Sequence, residues 1–154
     1  RVTQFGREFR IVKFRTMTYR PAALGDQITR GDDPRITRVG AVLRRYRLDE
    51  ISQLIDILRG TMSFVGTRPE VPDYVRQYTP QMRATLLLPA GVTSTASIEF
   101  KDEAQILAAA PPGQDAYVTQ VLPAKMRLNL RDVRDFSIGR DLRIAFRTIL
   151  AVAT

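Results

Sequence analysis

The chain has 154 residues, 44% of them hydrophobic and 26% charged, which is enough for one folded domain with a real core and argues against wholesale disorder or two full domains. It contains no cysteine and no histidine, so disulfides, thiolate nucleophiles, zinc sites of the usual ligand types and histidine general bases are excluded. Any chemistry falls to carboxylates, hydroxyls and lysine. The net charge of +8, carried far more by arginine than by lysine, points to a phosphate-bearing partner, because the planar guanidinium matches phosphate bidentately.

No apolar run approaches the roughly 20 residues of a membrane span. The chain opens on RVTQFGREFRIVKFRTM without a leader or a start methionine, and is expected to be a piece of a longer protein. Residues 2–17 alternate β-forming side chains around Gly6-Arg7, which predicts a hairpin. Residues 18–34 hold Pro21, Gly25, Gly31 and Pro34, a loop composition. From Thr37 the spacing turns helical, with Val39, Val42, Leu43 and Tyr46 on one face. Gly40 weakens that pattern.

The central stretch, residues 44–70, reads RRYRLDEISQLIDILRGTMSFVGTRPE. Ile51, Leu54, Ile55 and Leu58 share one face of a predicted helix with Asp49 as its N-cap and Gly60 as its stop. Capping chemistry alone accounts for acidic residues in a first helical turn. The arginines around Asp49 and Glu50, namely Arg44, Arg45, Arg47 and Arg68, suggest more: a carboxylate pair that handles a polyanion with help from a divalent cation.

Residues 62–65 read as a short buried strand, followed by a turn that points Arg68 back toward Asp49. Residues 71–78 and 81–87 read as short helices with a proline near the first turn. Pro89-Ala90-Gly91 breaks the chain, residues 101–110 are helical, and Pro111-Pro112-Gly113 stops them. Residues 117–135 are helical with a break at Pro123. The last helix, residues 137–153, sets Leu142, Ala145, Phe146, Ile149 and Leu150 against Arg140, Arg143 and Arg147. Its apolar side is expected in the core, the alternative being an anionic membrane surface. The fold class is therefore α+β: a mostly helical single domain over residues 1–154 with an N-terminal hairpin and one short additional strand.

Taken in order and with their spacing, these motifs resemble the bacterial sugar transferases, the monotopic phosphoglycosyl transferases. Residues 13–17 are similar to the family's Lys-Phe-Arg-Thr/Ser-Met, residues 33–40 to its Asp-Pro-Arg-Ile-Thr-Arg-Val-Gly, and residues 48–54 to its Leu-Asp-Glu-Leu-Pro-Gln-Leu. Residues 58–69 and 141–148 resemble two further family runs. The chain departs from the pattern at Ser52, Thr61, Thr67 and Leu88, the last where the family carries a phosphate-binding arginine.

The resemblance implies an enzyme that moves a sugar phosphate from a nucleoside diphosphate sugar, usually a uridine one, to a polyprenyl phosphate, initiating lipid-linked glycan synthesis. Asp49 matches the nucleophile. Glu50 would bind metal or position the nucleophile, with Mg²⁺ as cofactor held by Asp49 and Glu50. Lys13, Arg44, Arg68 and, more weakly, Arg15 match phosphate-binding positions, and Asp141 a supporting one. Without the resemblance, Lys13 reads as a hairpin ion pair and Arg44 as a solvated helix face.

The resemblance further implies an upstream membrane anchor and location at the cytoplasmic face of the bacterial inner membrane; the oligomeric state is left open, and an upstream membrane segment could mediate a homodimer. Two other readings compete. A non-catalytic interaction module would keep the fold without the chemistry. A helix-turn-helix over residues 38–59 would use the basic charge on DNA, but Asp49, Glu50 and Asp56 on its second helix would repel a phosphate backbone, so no nucleic-acid partner is expected.

Overall fold

The structure, a computed structural model, describes residues 1–18, 33–108 and 116–153. The expected loop lies almost wholly outside them, as does the Pro111-Pro112-Gly113 stop. The described chain is α+β and mostly helical. Its helices are α1 (Arg38–Arg45), α2 (Leu54–Leu58), α3 (Pro72–Val75), α4 (Thr95–Glu99), α5 (Glu103–Ala108), α6 (Leu122–Arg134) and α7 (Ile138–Ala153). Two strands, β1 (Met62–Val65) and β2 (Ala90–Thr93), pair in parallel with Met62 opposite Ala90 and Val65 opposite Thr93.

β1 is the strand expected over residues 62–65; β2 has no sequence signal of its own, because a four-residue strand carries too little alternation to declare itself before its partner is known. Gly91 makes the pairing possible. A Cβ there would lie 2.1 Å from the backbone nitrogen of Gly66, so the two backbones pass closer than any side chain allows. Gly91→Ala is expected to destabilise the protein by about 3 kcal/mol, lowering Tm by roughly 6–12 °C. An unchanged thermal midpoint would show that the two backbones are not in contact.

The N-terminal hairpin is shorter than expected, a ladder over residues 1–9 and not over 2–17. The chain reverses at a 3₁₀ turn, Gln4–Gly6, where Phe5 and Gly6 both take positive φ, and an antiparallel bridge pairs Val2 with Glu8, flanked by Thr3 N–H donating to the Arg7 carbonyl and Phe9 N–H to the Arg1 carbonyl, each at 2.8 Å. Residues 12–14 turn instead to the central stretch. Val12 N–H donates to the buried Asp56 carboxylate at 2.8 Å, Phe14 N–H to the Asp49 carbonyl at 3.1 Å, and the Ser52 hydroxyl to the Val12 carbonyl at 3.2 Å. Backbone groups that a longer hairpin would have paired are satisfied there, which ends the ladder early.

The core is small: Val2, Val75, Tyr78, Tyr117, Val121, Leu122 and Met126 pack together, with α6 as its spine. A π-helical turn, Tyr117–Val121, runs into α6 one residue before Pro123, so the expected break is a change of helical pitch upstream of the proline. Gly40 proves favourable to α1. Its missing Cβ lets the helix sit on the Thr16 carbonyl, which a Cβ would approach to 2.0 Å, and Thr37 caps the helix by accepting from Gly40 N–H.

The predicted apolar faces are largely uncovered, and the expectation that the last helix buries its apolar side fails. Ile51, Leu54, Ile55 and Leu58 are exposed, Leu58 at 87%, as are Val39 and Val42 on α1. On α7, Leu142, Phe146, Ile149 and Leu150 face outward, and Ile144 is the buried side chain of that helix, held near β2 by the Thr93–Thr148 hydroxyl pair at 2.7 Å. Periodicity shows that a helix has an apolar face but not what covers it.

Candidate active site

Asp49 does not cap a helix. The residues after Arg47 form a 3₁₀ turn, Leu48–Gln53, that passes into α2, and the residue at the N-cap position is Arg47, whose backbone is left-handed at φ 51°. A non-glycine residue in that region is strained, and here the strain turns the chain so that Asp49 and Glu50 both point inward. They are 3% and 9% exposed, unusual for adjacent carboxylates.

Burial at that level requires cations, and the sequence supplies them from two distant segments. Lys13, placed by the three hydrogen bonds that tie residues 12–14 to the central stretch, sets its Nζ 2.7 Å from Asp49 Oδ2 and 3.7 Å from Glu50 Oε1. Arg68, on the turn after β1, grips Glu50 with both terminal nitrogens and donates to the Val92 carbonyl on β2. Burial opposes ionisation of Glu50, but the Arg68 hydrogen bonds and charge, with Lys13 and Arg47, outweigh it and hold its pKa below the usual glutamate value. The same pairing outweighs burial at Arg68 and raises its pKa. Burial lowers that of Arg47, whose guanidinium donates to the Ser97 carbonyl at 3.3 Å.

These groups open onto one cavity of about 400 Å³ whose lining includes Lys13, Arg44, Arg47, Asp49, Glu50 and Arg68. Four cations around two carboxylates leave a net positive surface fitted to a phosphate-bearing ligand. Of the residues singled out from the sequence, Arg15, Arg45 and Asp141 are not brought to it. Arg15 is exposed beyond the lining, and Asp141 lies in the first turn of α7, where burial and then the charge of Asp132 raise its pKa.

The cavity also takes in Arg47, one of the arginines crowded about the pair, and four residues without any such signal: Glu70, Glu103, Tyr117 and Lys125. These four come from separate elements, and no spacing rule joins them.

Among the described residues no group of three or more acidic side chains is arranged to hold a metal alone. Asp49 and Glu50 could supply two carboxylates to a Mg²⁺ ion, which is commonly bound by one or two carboxylates with substrate phosphates and water completing the shell. Beside the cavity lies an apolar groove of about 360 Å³, lined by Ile51, Leu54, Ile57, Phe64, Val92 and Ile149, and Arg47 and Glu50 border both.

The family profile described as bacterial sugar transferase matches residues 1–154. Among curated proteins, the chain is 31% identical over 157 residues to a UDP-N-acetylgalactosamine-undecaprenyl-phosphate N-acetylgalactosaminephosphotransferase of Aeromonas hydrophila, covering 100% of this chain and 34% of that protein. It is 34% identical over 167 residues to the exopolysaccharide production protein ExoY of Sinorhizobium fredii, covering 99% and 67%. It is 32% identical over 153 residues to a UDP-glucose:undecaprenyl-phosphate glucose-1-phosphate transferase of Caulobacter vibrioides, covering 97% and 53%. The chain thus spans a third to two thirds of the length of these relatives.

Proposed function

Because the chain belongs to the bacterial sugar transferase family, we propose that it transfers a sugar phosphate from a UDP-sugar to a polyprenyl phosphate in two steps through a covalent aspartyl intermediate. The observation that carries this reading is the buried Asp49–Glu50 pair, clasped by Lys13 and Arg68 at the wall of a basic cavity.

In the first step an Asp49 carboxylate oxygen attacks the phosphorus that bears the sugar. A P–O bond forms, the bond to the bridging diphosphate oxygen breaks, and UMP leaves with that oxygen and its electron pair. In the second, a phosphate oxygen of the polyprenyl phosphate attacks the same phosphorus, releasing Asp49 and giving a polyprenyl-diphospho-sugar. Both steps bring an anion to an anion. Lys13 offsets that repulsion at the nucleophile. Arg44 and Arg47 hold the donor's phosphates, and Arg68 fixes Glu50 beside the reacting carboxylate. Asp49 and Glu50 would hold Mg²⁺, which supplies further neutralisation of phosphate charge.

The apolar groove supports the acceptor assignment, since a lipid phosphate entering along it meets Arg47 and Glu50 at its polar end. The exposed apolar faces of α1, α2 and α7 support contact with a membrane surface, at the cytoplasmic side where sugar nucleotides are available. No described helix is itself long and apolar enough to cross a membrane. An anchor outside this stretch would complete the attachment and give a route to a homodimer.

The test is release of UMP from a panel of UDP-sugars by the full-length protein, with polyprenyl phosphate and Mg²⁺. Release from at least one donor, dependent on the lipid for sustained turnover, is expected. Silence across the panel would favour a non-catalytic module on the same fold.

A further inference from the structure

The part of the cavity away from the arginines is built from a second polar cluster. Lys125 on α6 is buried, yet its Nζ lies 3.0 Å from Glu103 Oε2, 3.6 Å from Glu70 Oε1 and 3.4 Å from the Tyr117 hydroxyl, and 5.2 Å from the centre of the Tyr117 ring. The Tyr117 hydroxyl donates to Glu70. Burial, then the charge and hydrogen bond of Glu70, push the Tyr117 phenol above its ordinary pKa, so it stays a donor. Tyr74 packs on Tyr117 with ring centres 4.6 Å apart, adding an aromatic wall.

Stability alone does not account for this cluster. Burying one ammonium with two carboxylates is costly, and apolar residues of equal volume would serve the core as well. Its balance of charge also differs from that around Asp49 and Glu50. Two carboxylates face one ammonium in this cluster, whereas Lys13, Arg44, Arg47 and Arg68 outnumber Asp49 and Glu50; Arg1 and Lys101 line the cavity as well. A ligand with an anionic part and a neutral polar part is therefore oriented on entry.

No described residue donates a hydrogen bond to Glu70 Oε2 or Glu103 Oε1. Each has acceptor capacity to spare, and the Glu103 side chain is 27% exposed. Paired acceptors beside an ammonium donor and an aromatic face match the vicinal hydroxyls and C–H face of a sugar ring.

We propose that Glu70, Glu103 and Lys125, oriented by Tyr117, form the subsite for a sugar ring of the donor and discriminate among donors by their hydroxyls. The inference rests on the transferase reading for the identity of that donor. Two rings carry the right chemistry, the transferred sugar and the ribose of the nucleoside.

The experiment compares wild type with Glu103→Ala in the full-length protein. It reads kcat/KM for UDP-glucose against UDP-galactose and for their N-acetylamino counterparts, inhibition by UMP, and calorimetric affinity for each UDP-sugar and for UMP. Should Glu103→Ala fail to fold by circular dichroism, the near-isosteric Glu103→Gln takes its place. A change of about 10-fold or more in the ratio of kcat/KM between two epimers, with UMP inhibition unchanged, assigns the transferred sugar. A loss of about 10-fold in UMP affinity with the epimer ratio unchanged assigns the ribose. Folded protein in which neither moves beyond about 2-fold overturns the subsite. If wild type turns over no donor, the transferase reading fails, while the calorimetric arm still decides whether Glu103 contacts a sugar ring.

Discussion

Asp49→Asn is expected to abolish both the release of UMP and the trapping of a phosphosugar on the protein, while leaving the fold intact. The amide keeps the size of the carboxylate in a site 3% exposed, and it loses the charge that the attack requires. The fall in turnover should be roughly 10⁴-fold or more, about 5.5 kcal/mol of barrier. Quenched reactions analysed by intact-protein mass spectrometry read the adduct directly. Asp49→Asn turning over at near the wild-type rate would remove Asp49 as nucleophile. Glu50→Gln under the same conditions separates the two carboxylates, since it should slow the reaction and still permit an adduct.

The second large effect is expected at Arg68. Arg68→Met keeps most of the side-chain volume but strips Glu50 of its bidentate partner. Loss of the two charge-assisted hydrogen bonds should cost about 2 kcal/mol of stability and lower Tm by roughly 4–8 °C. Transition-state stabilisation should fall by about 10²–10³-fold in kcat/KM.

The pH dependence supplies a sign that simple loss of packing would not. The folded-state pKa of Glu50 is depressed, so its pairing contributes stability that is fully present above the ordinary glutamate value of 4.5 and is lost as pH falls through the lower folded value. In Arg68→Met the main opposing cation is gone and burial acts to raise that pKa, which favours the protonated form. The stability gap between wild type and variant should therefore narrow on acidification from pH 7 to about pH 3.5. Urea denaturation at the two pH values measures it, and a gap that stays constant would mean that the pair contributes through packing and not through charge.

How far the site is legible in the chain follows from where its parts lie. Asp49 and Glu50 are adjacent and sit in a cluster of arginines, so local reading finds them. Arg68 is brought back to the pair by the turn expected after residues 62–65, whereas Lys13 is joined to it only by the ordered run of motifs that resembles a known family. Arg15 and Asp141, selected in the same way, are left outside the cavity, because matching a motif position does not fix which way a side chain is turned. Glu70, Glu103, Tyr117 and Lys125 were not selected. Their neighbourhood is created by the packing of α5, α6 and the turn after β1, elements whose mutual placement has no local periodicity.

The chain alone determined the chemistry: no thiol or imidazole, an excess of guanidinium groups, an acidic pair among arginines, helices with apolar faces and a mixed α+β class. These depend on residue type and short-range spacing, which act within a few turns of backbone. Tertiary structure decided what each face and each charge is for. It cut the hairpin short with hydrogen bonds from residues 12–14 to the central stretch, turned Asp49 from a cap into a buried partner of Lys13, and left the apolar sides of α2 and α7 uncovered. The reason is physical: a backbone group or an ion is satisfied by whichever partner folding brings within about 3 Å, and sequence distance does not measure that.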